Sequence, residues 1–169
     1  MNLVAAACRA EQRGAGRVIV AEADRDPFLP LACVAARTSR LQVCTGIAVA
    51  FARTPMTLAY QGWGLQEASS GRAVIGVGTQ IKAHIERRYG MPWSKPVPRI
   101  GEFLTAVRHI WHCWQRQRWA PFHGAFYQHT MMGPEFSPPP PTGPSWTITA
   151  GASSPTSSTG CPCANAGRR

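Results

Sequence analysis

Apolar residues along this chain fall into short continuous runs separated by amphipathic stretches. Residues from Leu3 to about Arg13 favour a helix, and Gly14 and Gly16 supply the left-handed stop that helix ends prefer. Arg17 to Ala21 (RVIVA) then reads as a short buried strand, and Phe28 to Arg37 as a helix with Asp26 as its cap. Two prolines, Pro27 and Pro30, lie no deeper than its first turn, where a missing amide costs little. Leu41 to Ile47 (LQVCTGI) is the next predicted strand. Thr54 followed by Pro55 is a cap and first helical position, opening a helix to about Ser69 that Gly71 ends. Ala73 to Val77 (AVIGV) gives a third strand and leads into a polar, helix-compatible segment from Gln80 to Arg88.

Continuous apolar runs with one helix between each pair are what parallel βαβ units require, so the chain predicts an α/β architecture. After the proline-rich MPWSKPVP comes the clearest helical stripe: Ile100, Phe103, Leu104, Val107, Ile110, Trp111 and Trp114. Beyond Pro138 the pattern disappears. PPPPTGPSWTITAGASSPTSSTGCPCANAGRR contains no acid and is dominated by Ser, Thr, Pro and Gly, a composition that reads as disordered.

Charge adds an ambiguity. The formal net charge is +10, which invites a nucleic-acid reading, yet the basic residues are scattered from Arg9 to Arg169 without a run, finger or helix-turn-helix signature. Scatter of that kind argues against nucleic-acid binding. No stretch approaches the about 18 apolar residues of a membrane span, and no signal-peptide pattern opens the chain, so a cytoplasmic location is expected. Cys8, Cys33, Cys44 and Cys113 sit in apolar or helical segments, which suits reduced, buried thiols.

Several residue groups have the ingredients of chemistry. His109, His112 and Cys113 have helical spacing for metal ligands, but no second ligand pair lies near them in sequence, and Cys161 with Cys163 supplies only two thiols; no metal site is expected. The Gly76-Val77-Gly78-Thr79 turn would let backbone amides approach a ligand, although it lacks the Lys and Ser/Thr of a P-loop, and a purely structural turn explains it equally. Glu22, Asp24 and Asp26 follow the first strand, where carboxylates can act as acid, base or anchor at a barrel mouth. Their plainer reading, favoured on these residues alone, gives Asp26 to capping and the other two to a solvated loop.

The ordered series TGIAVAFARTPMTLAY, SGRAVIGVGTQIKAHIERRYGMPWSKPVPRIGEFLTAVRHIW and FHGAFYQHTMM resembles the luciferase-like monooxygenase superfamily, particularly its F420-dependent oxidoreductases, over about Ala5 to Pro141. The resemblance implies a (β/α)8 barrel that binds F420, or alternatively FMN, at the C-terminal ends of its strands. It implies a bulge with a non-proline cis peptide at Gly46 and Ile47 behind the cofactor ring, and a cofactor-facing lining from Ala48 and Gly76, Val77, Gly78 and Thr79. Glu22 falls where the family places an acidic or polar residue beneath the reacting ring, the catalytic candidate. Relatives resemble SETAHDPF at the second strand end; AEADRDPF here puts Arg25 at the histidine position and removes that proton-transfer role.

A full barrel needs about 250 residues. Read against it, residues 1–141 form a partial barrel with about strands two to four and their helices, and residues 142–169 a low-complexity tail with the look of a shifted reading frame beyond about Thr142. An open three-stranded sheet with two unpaired edges is expected to be of low stability and prone to association, including as a homo-oligomer. The implied activity is hydride transfer between the deazaflavin or flavin and an organic substrate, in a chain that is truncated relative to the full barrel and doubtful as an active enzyme; the alternative is a basic module that binds nucleic acid or protein without catalysis.

Overall fold

The computed structural model describes residues 2–139 and 150–152. Helix α1 (Leu3–Gln12) starts where the Asn2 side chain accepts from the Val4 and Ala5 amides, and it ends in Gly14 at φ +85°. Strand β1 (Arg17–Val20), helix α2 (Phe28–Ala35) and strand β2 (Gln42–Val49) follow. Asp26 does serve the start of α2: its Oδ1 accepts from the Phe28 amide at 2.8 Å, while Pro27 occupies the cap position itself. Helix α3 (Pro55–Ala68) is capped as the sequence predicts, the Thr54 hydroxyl accepting from the Thr57 amide. Strand β3 (Ala73–Gly78), the short α4 (Lys82–Arg87) and the long α5 (Pro96–Gln115) complete the alternation. A small antiparallel hairpin, β4 (Phe122–His123) and β5 (Gln128–His129), lies beyond.

The main sheet is parallel throughout, in the order β1-β2-β3-β6, where β6 is Ala150–Ala152. This fourth strand falls inside the segment that composition marked as patternless. Ala-Gly-Ala carries no apolar signature, so only its pairing of Ile75, Gly76 and Val77 with Ala150, Gly151 and Ala152 reveals it. The rest of the tail, including Cys161, Cys163 and the proposed frame shift, lies outside the described residues.

Alternation along the strands sorts side chains into two faces. Val43, Ala73, Ile75 and Val77 join Leu31, Val34, Leu58, Trp63, Phe103, Val107 and Ile110 in one core between sheet and helices. The predicted stripe on α5 packs on α3, where Gly62 admits the Trp111 ring; a Cβ at Gly62 would stand 2.8 Å from Trp111 Cζ2. Trp111 Nε1 donates to the Ala59 carbonyl at 3.0 Å, so the buried indole N–H is satisfied.

Arg72 explains the SGR turn. Its guanidinium donates to the carbonyls of Ser69, Leu41, Ala35 and Thr38 and to the Thr38 hydroxyl, tying the ends of α2 and α3 to the starts of β2 and β3. At the same end Glu11 accepts from the Ser39, Arg40 and Leu41 amides, fixing the entry to β2. The thiols differ from expectation at one place: Cys44 and Cys113 are buried and Cys8 half-buried, but Cys33 is exposed, because it lies on the outer side of α2.

Candidate functional site

The parallel β1, β2 and β3 bring Glu22, the Gly46–Ile47 peptide and the Gly76–Thr79 turn to one end of the sheet, the C-terminal ends of the strands. The Gly46–Ile47 peptide is cis, and the β2–β3 register shifts between Thr45 and Ala48, a bulge at the position the sequence indicated. Thr45 pins the inner margin of this bulge: its hydroxyl donates to the Gly76 carbonyl at 2.7 Å and accepts from the Gly76 amide at 2.8 Å. That close approach needs glycine, since a Cβ at Gly76 would lie 2.6 Å from the Thr45 carbonyl oxygen.

Glu22 holds the bulge from the other side. Its amide donates to the Ile47 carbonyl at 3.1 Å, and its Oε2 accepts from the Val49 amide at 2.7 Å. Arg53 Nη2 reaches the same Oε2 at 2.9 Å and Asp26 Oδ2 at 3.0 Å, with the guanidinium over the Phe28 ring. Tyr89 donates its hydroxyl to Glu22 Oε1 at 3.2 Å. Burial, and then the Glu22 charge, push the Tyr89 phenol up, which keeps it a donor. Glu22 is only 8% exposed, so the solvated-loop reading of it fails: a partner on β2's trailing turn and another after α4 enclose it. A carboxylate with both oxygens occupied is a positioning group in this geometry, anchoring residues 46–49.

Asp24 and Arg25 behave as the sequence's plainer reading has it. They pair with each other at the surface, with side chains 71% and 68% exposed, and Asp24 is held below the usual carboxylate range by the Arg25 hydrogen bond.

The lining assigned from sequence divides in two. Gly46, Ile47, Gly76 and Thr79 are exposed or half-exposed. Ala48 and Val77 are fully buried in the core, and Gly78 is buried as well. Past the bulge, strand alternation turns the Ala48 side chain toward the helices, as it does that of Val77, so at these two positions the backbone alone borders the surface on the other side of the sheet. What remains is the surface at Gly46, Ile47 and Gly76, where the Ile19 Cγ2 lies over Gly46 and the Thr45 carbonyl closes on Gly76.

Sequence reasoning missed a second packed cluster, built on the start of α5. Phe51 packs edge-on to Trp93, and Arg99 lies over the Phe51 ring at 4.3 Å while donating to the Tyr127 hydroxyl and the Pro92 carbonyl. Glu102 accepts from the Ala125, Phe126 and Tyr127 amides and so fastens the hairpin that carries Tyr127; burial pushes this carboxyl up, but the three N–H groups outweigh it and leave it below its ordinary value. A signal was available in the R-x-x-E spacing of Arg99 and Glu102, one turn apart on α5.

His109 Nε2 lies 2.8 Å from the Ala120 carbonyl and 3.6 Å from Cys113 Sγ. Among the described residues no group of three or more His, Cys, Asp or Glu side chains has the arrangement of a metal site.

Comparison with known proteins identifies the family and the fold. Rv1360 of Mycobacterium tuberculosis (strain ATCC 25618 / H37Rv) is 50% identical over 135 residues, 80% of this chain and 40% of that protein. A protein of the same strain named "Putative coenzyme F420-dependent oxidoreductase Rv3520c" is 36% identical over 111 residues, 65% of this chain and 31% of that protein. The chain thus spans about 40% of the length of the first curated relatives it matches. Among solved structures, the monooxygenase RslO1 from Streptomyces bottropensis superposes with a TM-score of 0.72 at 24% identity, covering 88% of this chain and 46% of that one. An F420-dependent secondary alcohol dehydrogenase superposes at 0.69 with 18% identity, again over 88% of this chain and 46% of the other. At those identities the likeness carries the fold, part of a barrel of the luciferase-like kind. The family model for luciferase-like monooxygenases matches residues 1–159, and the chain belongs to that family.

Proposed function

We propose that this chain holds the ring of F420, with FMN as the alternative, over Gly46, Ile47 and Gly76 in the service of hydride transfer to or from an organic substrate. The observation that carries the reading is the clamped bulge: Glu22 and Thr45 fix residues 46–49 at the C-terminal ends of the parallel strands, where barrel enzymes place their sites. The surface around the bulge is apolar, with the Ile19 and Ile47 side chains beside two glycines that add none of their own. When bound, the deazaflavin or flavin supplies the hydride chemistry. The chain's own residues supply the shape: Ile47 and Ile19 stand beside the two glycines, Thr45 ties the bulge to Gly76, and Glu22, held by Arg53 and Tyr89, keeps the Gly46–Ile47 peptide in place.

Support for the choice of cofactor class comes from the relatives, one named for F420 and a structural neighbour that is an F420-dependent dehydrogenase. A 3,6-diketocamphane monooxygenase component solved with FMN superposes at a TM-score of 0.63, which keeps FMN as the alternative.

The test is titration of the purified chain with F420 and then FMN, followed by fluorescence, with circular dichroism recorded on the same samples. Saturable binding that Gly76→Val abolishes supports the proposal, because any side chain there meets the Thr45 carbonyl. A folded chain that binds neither cofactor overturns it.

A further inference from the structure

The arginines that look scattered in the sequence are gathered by the topology. In a parallel α/β layer every helix ends, and every strand begins, at the same side, opposite the candidate site. Arg9 lies in the last turn of α1 and Arg13 caps it; Arg37 and Arg40 occupy the turn between α2 and β2; Arg116 caps α5 and Arg118 follows. All six are exposed. Against them, among the described residues, this end carries only Glu11, whose carboxylate is engaged by three amides, and Glu67. Helix ends attract cations, but the partial charge there is about half an elementary charge, too little to neutralise whole guanidinium groups.

The arginines form two groups on one arc. Arg9 and Arg13 adjoin Arg37 and Arg40, since the Cys8 thiol donates to the Arg37 carbonyl and Glu11 accepts from the Arg40 amide. The α5 pair lies three helix packings away, through α2 and α3, a span of roughly 25 to 30 Å at ordinary interaxial distances. A surface concavity opens within the first group, lined by Ala6, Arg9, Ala10, Arg13, Gly14 and Ala15.

We infer that this basic end is a docking surface for the phosphate backbone of double-stranded nucleic acid, independent of the proposed cofactor site. Planar guanidinium forks match phosphate oxygens bidentately, and the arc is close to one duplex turn of about 34 Å. The exposed large apolar side chains, Ile19, Leu29, Tyr60, Ile81, Val97, Met131 and Phe136, lie on none of these arginine-bearing turns, so the anchors of a membrane-surface binder are missing here. No helix projects its N-terminal turns at this end, so contact is with phosphates and independent of base sequence.

The experiment is fluorescence anisotropy of a labelled 25-base-pair duplex of arbitrary sequence with the full chain, from about 50 to 200 mM salt. Engagement of about five phosphates predicts a log–log salt slope near −4 to −5. R9Q/R13Q/R37Q/R40Q flattens that slope by about 3 and weakens binding at least tenfold, while K82Q/R87Q/K95Q, which removes charge at the opposite end, changes it by less than twofold. If the four-residue variant fails to fold by circular dichroism, R9Q/R13Q and R116Q/R118Q are read separately, each expected to flatten the slope by about 1 to 2. Equal losses from both ends would reduce the effect to net charge and overturn the inference. So would absence of salt-sensitive binding, or arginine-dependent binding to phosphatidylserine vesicles without binding to the duplex.

Discussion

Replacing Glu22 by Ala tests the clamp most directly. The substitution strips the Val49 amide of its acceptor, removes one of the two carboxylates facing Arg53, and leaves the Tyr89 hydroxyl without its partner. An unsatisfied buried amide costs about 1–3 kcal/mol, and breaking a buried ion pair from one side about 3–5 kcal/mol. Asp26 stays on Arg53 and its side chain is 43% exposed, so the guanidinium keeps a partially solvated counterion and the total should fall near the lower limit, about 3 kcal/mol. In a domain of this size that corresponds to a melting temperature lower by roughly 6–12 °C. The assay is thermal and urea unfolding followed by far-UV circular dichroism, with Arg53→Met and the double variant added to close a cycle; a coupling of at least about 1 kcal/mol is expected between side chains in direct contact. Asp24→Ala, two residues away and engaged only with exposed Arg25, should leave the transition unchanged. If Glu22→Ala and Asp24→Ala melt together with the unmodified chain, the carboxylate does not hold the bulge and the reasoning is wrong.

Three further outcomes follow from packing and titration. Gly62→Ala should destabilise by about 1–3 kcal/mol in urea unfolding, because contact with Trp111 outweighs the gain in helix propensity of about 1 kcal/mol; a more stable variant would show that the two helices separate freely. Arg72→Met leaves the carbonyls of Ala35, Thr38, Leu41 and Ser69 without their shared donor, and a loss of roughly 3 kcal/mol is expected by the same measurement. Burial, and then nearby His109, hold His129 below the usual imidazole range, so the unfolded chain takes up its proton first as pH falls. Stability should therefore decline below about pH 6.5 and level off once the folded imidazole is protonated, and His129→Phe should remove that part of the slope in melting curves taken at several pH values.

The alternation of strands and helices was legible because its punctuation is local: Thr54-Pro55 starts α3, Gly71 at φ +85° ends it, and the α5 stripe announces a buried face. The site was legible only through resemblance, and only in part. Nothing near Glu22 in sequence says that it is buried, since Arg53 and Tyr89 reach it from 31 and 67 residues away. That the Ala48 side chain faces the core was not legible, because a bulge between Thr45 and Ala48 resets the two-residue period that sequence reading relies on. The basic end was invisible for a similar reason: its arginines are separated along the chain and meet only because parallel topology returns every helix to the same side.

The contact of α3 with α5 also determines what light will report. Trp63, Trp111 and Trp114 are all buried at this one interface, with the Trp63 and Trp114 rings perpendicular at 5.4 Å and Tyr60 tilted against Trp114 at 4.8 Å. Excitation absorbed by any of them is shared within the cluster before it is emitted. Tryptophan emission and near-ultraviolet dichroism of this protein are thus weighted toward the docking of two helices, and a spectroscopic transition that runs ahead of the far-ultraviolet one would mark their separation while the sheet is still paired.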